Sequence, residues 1–265
     1  SNRWLAKATR PASFNRPIAF NQNLIDATIF SENFNHSQFV ALKSKDAIVD
    51  QFKKKFDDRP NVDKDHPDLR INIHIQNEIC TVSLDTSGAS LHHRGYRTAT
   101  NIAPINEVLA AGILILSGWT GQTNFMDPMC GSGTFLVEAA MIACNIPPNI
   151  NRKEFAFEKW KDWDADLFEK VEESLLKKIT DFHYDIFGYD KAPSAVAKAK
   201  DNAKNANLEE YIKIEQKNFF ETEKEVQGPL HMVFNPPYGE RLDIDLERFY
   251  REIGDTLKQS YPGTN

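Results

Sequence analysis

The stretch Asn124–Ala143, NFMDPMCGSGTFLVEAAMIA, limits the possible folds more than any other part of the chain. A short strand runs into Asp127-Pro128, then a turn holding Gly131 and Gly133, then an apolar helix that opens at Thr134. Glycines in such a turn tolerate left-handed backbone and let a ligand come close to the main chain. A strand-turn-helix of this kind belongs at the carboxyl edge of an α/β sheet, where ligands bind. The spacing is not G-x-G-x-x-G and no Gly-Lys-Ser/Thr comes after it, so neither a dinucleotide fingerprint nor a phosphate loop is indicated. Asp127 suits a cationic or hydroxyl-bearing ligand better than a phosphate. A plain tight turn is the alternative.

The chain beyond this helix alternates in the manner of a parallel sheet with crossover helices. Ile186-Phe187-Gly188-Tyr189-Asp190-Lys191 reads as a second strand, and the next helix sets Ala192, Val196, Ala199, Ala203 and Ala206 on one face. Asp190, at that strand's end, is placed to accept both hydroxyls of a ribose; by itself it could equally cap the helix. Ile214–Phe220 ends a further strand, where Asn218 and Phe219 could flank a purine ring or simply close a strand over core phenylalanines.

The stretch Val233–Gly239, VFNPPYG, raises a chemical question. Two prolines after a strand stop it, which would explain a turn and nothing more. They also fix a backbone carbonyl. The lone pair of an amine conjugated to an aromatic ring is delocalised, so that amine is a poor nucleophile. The Asn235 side-chain oxygen and the Pro236 carbonyl can each accept one of its hydrogens, with Pro237 holding the turn. Tyr238 offers a face on which an extruded base can stack.

The front of the chain differs in kind. Gln38–Phe56 has Phe39, Leu42, Ile48, Phe52 and Phe56 at roughly helical spacing, with lysines opposite. Arg70–Ile75 and Cys80–Leu84 alternate polar and apolar around a turn at 76–78, which indicates a two-stranded ribbon and a small α+β unit. Residues 1–25 carry four basic and no acidic side chains and are expected to be irregular. Asn106–Ser117 is apolar nearly all round and is expected to pack on both sides. Trp160–Leu176 reads as a charged, aromatic helical insert.

Composition narrows the function classes. A net charge of −6 argues against a general nucleic-acid coat, yet residues 1–100 hold 14 Lys and Arg against 11 Asp and Glu, while the rest holds 18 against 27. That division fits a substrate-gripping front and a catalytic back. No apolar run approaches the length of a membrane span, and the first residues do not read as a secretory signal. The three cysteines, Cys80, Cys130 and Cys144, show no paired spacing, so neither a disulfide framework nor a metal site is indicated. A reducing, cytoplasmic setting is expected.

Taken together, MDPMCGSGTFLVEAAMIA, FNPPYGERL, IAPINEVLAAGILILSGW and the segment from RPNVDKDHPDLRINIHI to LHHRGYR resemble the bacterial 23S ribosomal RNA guanine-N2 methyltransferases that carry a THUMP RNA-binding domain. The resemblance runs from about Asp26 to Arg251. It implies a small α+β THUMP-like module over residues 26–97, then a Rossmann-like class I methyltransferase domain over 98–265 that is short of its C-terminal strands. It also implies S-adenosylmethionine as cofactor. Asp127, Pro128, Gly131, Gly133 and Thr134 would line the methionine and ribose side, with Asp190 and Lys191 at the ribose and Asn218 and Phe219 at the adenine. Pro104, Asn106 and Glu107 match a linker motif that closes over the cofactor. Asn235, Pro236, Pro237 and Tyr238 would present the target amine, and Lys43, Lys45, Arg94, Tyr96 and Arg97 would grip RNA. An adenine-N6 methyltransferase shares the Asn-Pro-Pro-Tyr chemistry, and a non-catalytic RNA-binding assembly factor could retain the fold.

Overall fold

The computed structural model describes residues 23–57, 67–97, 104–160, 162–237 and 245–265. Tyr238 and residues 1–22 of the expected irregular start lie outside them. Two compact units are present. The front unit holds the described residues through Ser90 together with Lys153–Phe168; the back unit holds Leu91–Arg152 and Glu169–Asn265.

In the front unit, β1 (Asn23–Phe30), α1 (Ser37–Phe56), β2 (Leu69–Gln76) and β3 (Ile79–Leu84) form a three-stranded sheet with a helix. The order is β1-β2-β3, with β1 parallel and β3 antiparallel to β2. The alternation in β2 buries Ile71, Ile73 and Ile75 on one face, where Ile25 of β1 and Val40, Ala41 and Ile48 of α1 complete the core. His36 caps α1 by accepting the Phe39 N–H at 3.1 Å, and Lys53, Lys54 and Lys55 in the last turn suit the negative end of the helix dipole. Asn77 takes a positive φ of 54° in the tight turn between β2 and β3. Asn23, Leu24 and Ile25 open β1, so the irregular start ends earlier than the sequence suggested. The aromatic stretch through Phe168 belongs to this unit: Ser87 and Thr86 carbonyls accept the N–H groups of Ala156 (3.3 Å) and Phe157 (3.1 Å), and Phe155, Phe157, Trp163 and Phe168 pack ring to ring.

The back unit contains α2 (Glu107–Leu116), β4 (Asn124–Asp127), α3 (Thr134–Ala143), β5 (Ile186–Asp190), α5 (Pro193–Asn205), β6 (Ile212–Gln216), β7 (Leu230–Met232) and α6 (Leu246–Ser260). The division between units falls inside α4 (Ala165–Leu176). The sheet order is β6-β5-β4-β7, every pair parallel. This is the alternating α/β architecture expected. One glycine sits at a close approach: a Cβ on Gly188 in β5 would run into Leu136 Cδ1 of α3, and that leucine would have to shift. α2 departs from expectation. Ala110 and Leu114 are buried against the core, but Val108, Leu109, Ile115 and Leu116 are exposed, because the described residues supply packing on one face only.

Candidate functional site

Parallel register brings the chemistry-bearing residues to one sheet edge. Asp127 closes β4 opposite Gly188 of β5, and Met126 pairs with Met232 of β7, so Asp190, the last residue of β5, and Asn235, just past the end of β7, lie at the ends of the two strands flanking β4. The loop after β4 turns on left-handed backbone at Gly131 (φ 54°) and Gly133 (φ 80°), and α3 starts at Thr134.

Asp190 ties this edge together. Its Oδ2 accepts the Gly131 N–H at 3.0 Å and its Oδ1 accepts the Ala192 N–H at 2.9 Å. Each carboxylate oxygen has a second lone pair, so both can still take a hydroxyl hydrogen. Cys130 N–H donates to the Tyr189 carbonyl at 2.8 Å, adding a second strap between loop and strand.

Asp127 is buried, with its Oδ1 accepting the Met129 N–H at 3.1 Å. Burial pushes its pKa up to about 8 against the pull of that hydrogen bond, and the Asp190 charge pushes the same way. A buried acid that ionises near neutrality is what a cationic or hydroxyl-bearing ligand would exploit. Pro128 is buried beside it, and the buried Cys130 thiol is held well above its usual range by desolvation and by both aspartates. No thiolate nucleophile is offered here.

At the other strand ends the outcome is mixed. Asn218 donates from Nδ2 to Glu221 Oε1 at 2.7 Å, which orients its amide, while Lys191 is exposed and its carbonyl accepts Gln216 Nε2 at 3.3 Å. Phe219 is 2% exposed and packs on Phe234 and Tyr261, the core placement that the sequence left open beside the purine flank. Beyond β7, Val233 N–H still pairs with the Met126 carbonyl at 3.2 Å, leaving Asn235 exposed. Pro236 comes next, and the Pro237 carbonyl accepts the Tyr250 hydroxyl at 3.3 Å.

The linker residues prove structural in part. Asn106 caps α2, its Oδ1 accepting the Val108 and Leu109 N–H groups at 2.9 and 3.2 Å, and Pro104 precedes it half-buried. Glu107 is 2% exposed.

Arg94, Tyr96 and Arg97 also need correction as RNA contacts. Arg94 is 7% and Tyr96 1% exposed; the Arg94 guanidinium lies 3.5 Å from Glu138, and the Tyr96 hydroxyl donates to Glu138 at 3.3 Å. Arg97 pairs with Glu107 at 3.4 Å and donates to Thr134 Oγ1 at 2.7 Å. All three lie in the back unit; Arg94 and Tyr96 are turned inward, while Arg97 is half-buried and lines a cleft. Lys43 and Lys45 remain in α1: Lys43 is exposed over the Phe39 ring, and Lys45 pairs with Asp46 at 2.9 Å.

Two supporting residues are not evident from the sequence. Asn202, 1% exposed on the alanine face of α5, donates from Nδ2 to the Ser132 carbonyl at 2.9 Å and so holds the glycine loop. Glu138 is buried in α3, its carboxyl pushed up by desolvation and pulled back by Arg94. In each case the available signal is a lone polar residue on an apolar helix face. Among the described residues no group of three His, Cys, Asp or Glu could hold a metal, and no helix is long and apolar enough to cross a membrane.

Comparison with known proteins separates the front of the chain from the back, with the methyltransferase match running through the Lys153–Phe168 segment. Residues 17–85 match the THUMP domain, and residues 94–264 match the RMKL-like methyltransferase domain. SMU.472, a protein described as a methyltransferase and solved with SAH, is 33% identical with a TM-score of 0.79, over 94% of this chain and 66% of that one. A predicted N6-adenine-specific DNA methylase from Listeria monocytogenes is 31% identical with a TM-score of 0.81, over 92% and 64%. This chain therefore spans about two thirds of the length of both. TrmN from Thermus thermophilus, at 15% identity and a TM-score of 0.58 over 92% and 59%, shares the fold.

Proposed function

This chain belongs to the RMKL-like methyltransferase family, with a THUMP domain ahead of that domain, and from this premise we propose that it transfers a methyl group from S-adenosylmethionine to an RNA base, at N2 of a guanine in 23S ribosomal RNA. The observation that carries the reading is the shared sheet edge. Three parallel strands end there in chain order with the glycine loop and Asp127, then Asp190, then Asn235-Pro236-Pro237. A buried carboxyl poised near neutrality and a second carboxylate strapped to the glycine loop fit a cofactor that is cationic at one end and carries a ribose at the other.

The cofactor supplies an electrophilic methyl group. The chain's own residues bind and orient. Asp190 takes the ribose hydroxyls, and the loop from Pro128 to Thr134, kept in place by Asn202, shapes the methionyl side. Asn235 and the Pro236 carbonyl accept the two hydrogens of the target amine, so that its lone pair faces the methyl group. The amine's proton is lost after the nitrogen has become cationic, so no strong base is needed. Lys43 and Lys45 on α1 contribute phosphate contacts.

The likeness to a predicted adenine-N6 methylase supports a second reading, transfer to adenine N6 by the same motif. Incubating the protein with unmodified 23S ribosomal RNA and S-adenosylmethionine, then digesting to nucleosides for mass spectrometry, separates the two. N2-methylguanosine is expected. N6-methyladenosine alone would establish the second reading, and no methylated nucleoside despite cofactor binding would favour an RNA-binding assembly factor.

A further inference from the structure

Beyond Asn235 the Asn235-Pro236-Pro237 turn has one soft backbone torsion. Each proline ring fixes its own φ, and Asn235 and Pro236, each followed by a proline, are both confined to extended backbone. Just upstream the segment is pinned, where Val233 N–H meets the Met126 carbonyl at 3.2 Å. What stays soft is ψ of Pro237, which aims that residue's carbonyl and sets the direction in which the chain leaves toward Tyr238. Neither proline has an N–H with which the turn could close on itself.

Tyr250 of α6 acts at that torsion. Its hydroxyl donates to the Pro237 carbonyl at 3.3 Å. The helix is set by its other side, where Phe249 stands edge-on to Phe220 at 5.5 Å and Ile253 is buried in one cluster with Met126 and Tyr189. The Tyr250 ring is 45% exposed and adds little to that core, so its hydroxyl is the part that bears on the turn. A base stacked on Tyr238 would lie on one side of the Pro237 torsion, with the Asn235 and Pro236 acceptors for its amine on the other. We propose that Tyr250 is a positioning residue, whose hydroxyl fixes the angle between the stacking ring and the amine acceptors. The inference rests on the turn presenting an RNA base, as proposed above. RNA held by phosphate contacts elsewhere binds equally well without the hydroxyl, which therefore acts on turnover.

Tyr250→Phe keeps the ring and removes only the O–H. With unmodified 23S ribosomal RNA it should lower kcat by about three- to ten-fold, the range of one neutral hydrogen bond, and leave KM for RNA and S-adenosylmethionine affinity at wild-type values. In the Asn235→Ala background the same change should cost less, since both act through one turn. A second arm, by NMR, needs no activity. Pro237-Tyr238 is the one Pro-Tyr dipeptide in the chain, so protein labelled at the proline carbonyl carbon and the tyrosine nitrogen gives a single carbonyl-to-amide correlation, which should move in Tyr250→Phe. An unmoved resonance, an unchanged kcat, or a loss shared equally by cofactor affinity would overturn the proposal. A moved resonance, with no RNA methylation by the wild type, would uphold the contact and place the failure in the function proposed above.

Discussion

Where the front unit buries Ile25, Val49, Ile71, Ile73 and Ile75, the back unit encloses Arg94, Glu107, Asp127, Glu138 and Asn202 within an apolar core that includes Phe125, Leu136 and Ile186. Aliphatic burial stabilises by roughly 25 cal/mol per Å² and needs only shape. Buried charge costs several kcal/mol per ion unless it is paired, and even paired it adds little net stability. A unit that buries four ionisable side chains and the Asn202 amide is therefore organised around something other than stability. The difference separates a module that holds its sheet together from one that arranges ionisable groups at a sheet edge.

On that contrast, the largest single effect falls on the back unit's exposed motif. Asn235→Ala should cut turnover by about 100-fold or more, as removal of a preorganised transition-state contact does, while S-adenosylmethionine affinity and thermal stability stay close to wild type. Steady-state kinetics with a parallel calorimetric titration would show it; equal turnover would return VFNPPYG to being a turn.

A step smaller is Asp190→Ala, which removes the proposed ribose acceptor together with the strap to Gly131. Cofactor affinity, read by the same titration, should fall by about ten- to a hundred-fold.

The Asp127 carboxyl gives a stability signature. Its pKa is raised from 3.8 to about 8 in the fold, so between those pH values the folded protein holds a proton that the unfolded chain has released. Stability should decline as pH rises across that window and level off above it. Denaturant unfolding at a series of pH values should show a shallower decline in Asp127→Asn, and an identical profile would mean the carboxyl ionises normally.

Smallest is the front unit's share. Replacing Lys43 and Lys45 by alanine should leave S-adenosylmethionine affinity unaltered and make the slope of log K for RNA against log salt shallower by about 0.7–0.9 for each phosphate that loses its lysine. An unchanged slope in filter binding would strip both lysines of that role.

How far the sequence could be read tracks the same contrast. Local patterns survived: the alternation in RINIHI, the helical spacing of QFVALKSKDAIVDQFKKKF and the glycine turn before FLVEAAMIA each specify an element through contacts close in sequence. β1 carries Ile25, Ala27 and Ile29 at strand spacing, but it pairs with β2, more than forty residues later, and nothing local announces that partner. Arg94, Tyr96 and Arg97 look like an RNA grip because a basic, aromatic run does not disclose its partners. The key is Glu138, one acid in an apolar helix, which cannot be buried alone. The insert around Trp163 is recognisable as helical and aromatic, whereas its packing in the front unit depends on backbone bonds to Thr86 and Ser87.

Whether the glycine turn and the Asp190 edge hold the cofactor can be read from hydrogen exchange with and without S-adenosylmethionine, because exchange reports along the whole chain which amides a ligand shields. Added cofactor should slow exchange at the Gly131–Thr134 turn and at the residues just after Asp190, with β1, β2 and β3 exchanging as before. Protection centred on the front sheet, or none at the glycine turn while the cofactor is bound, would contradict that placement.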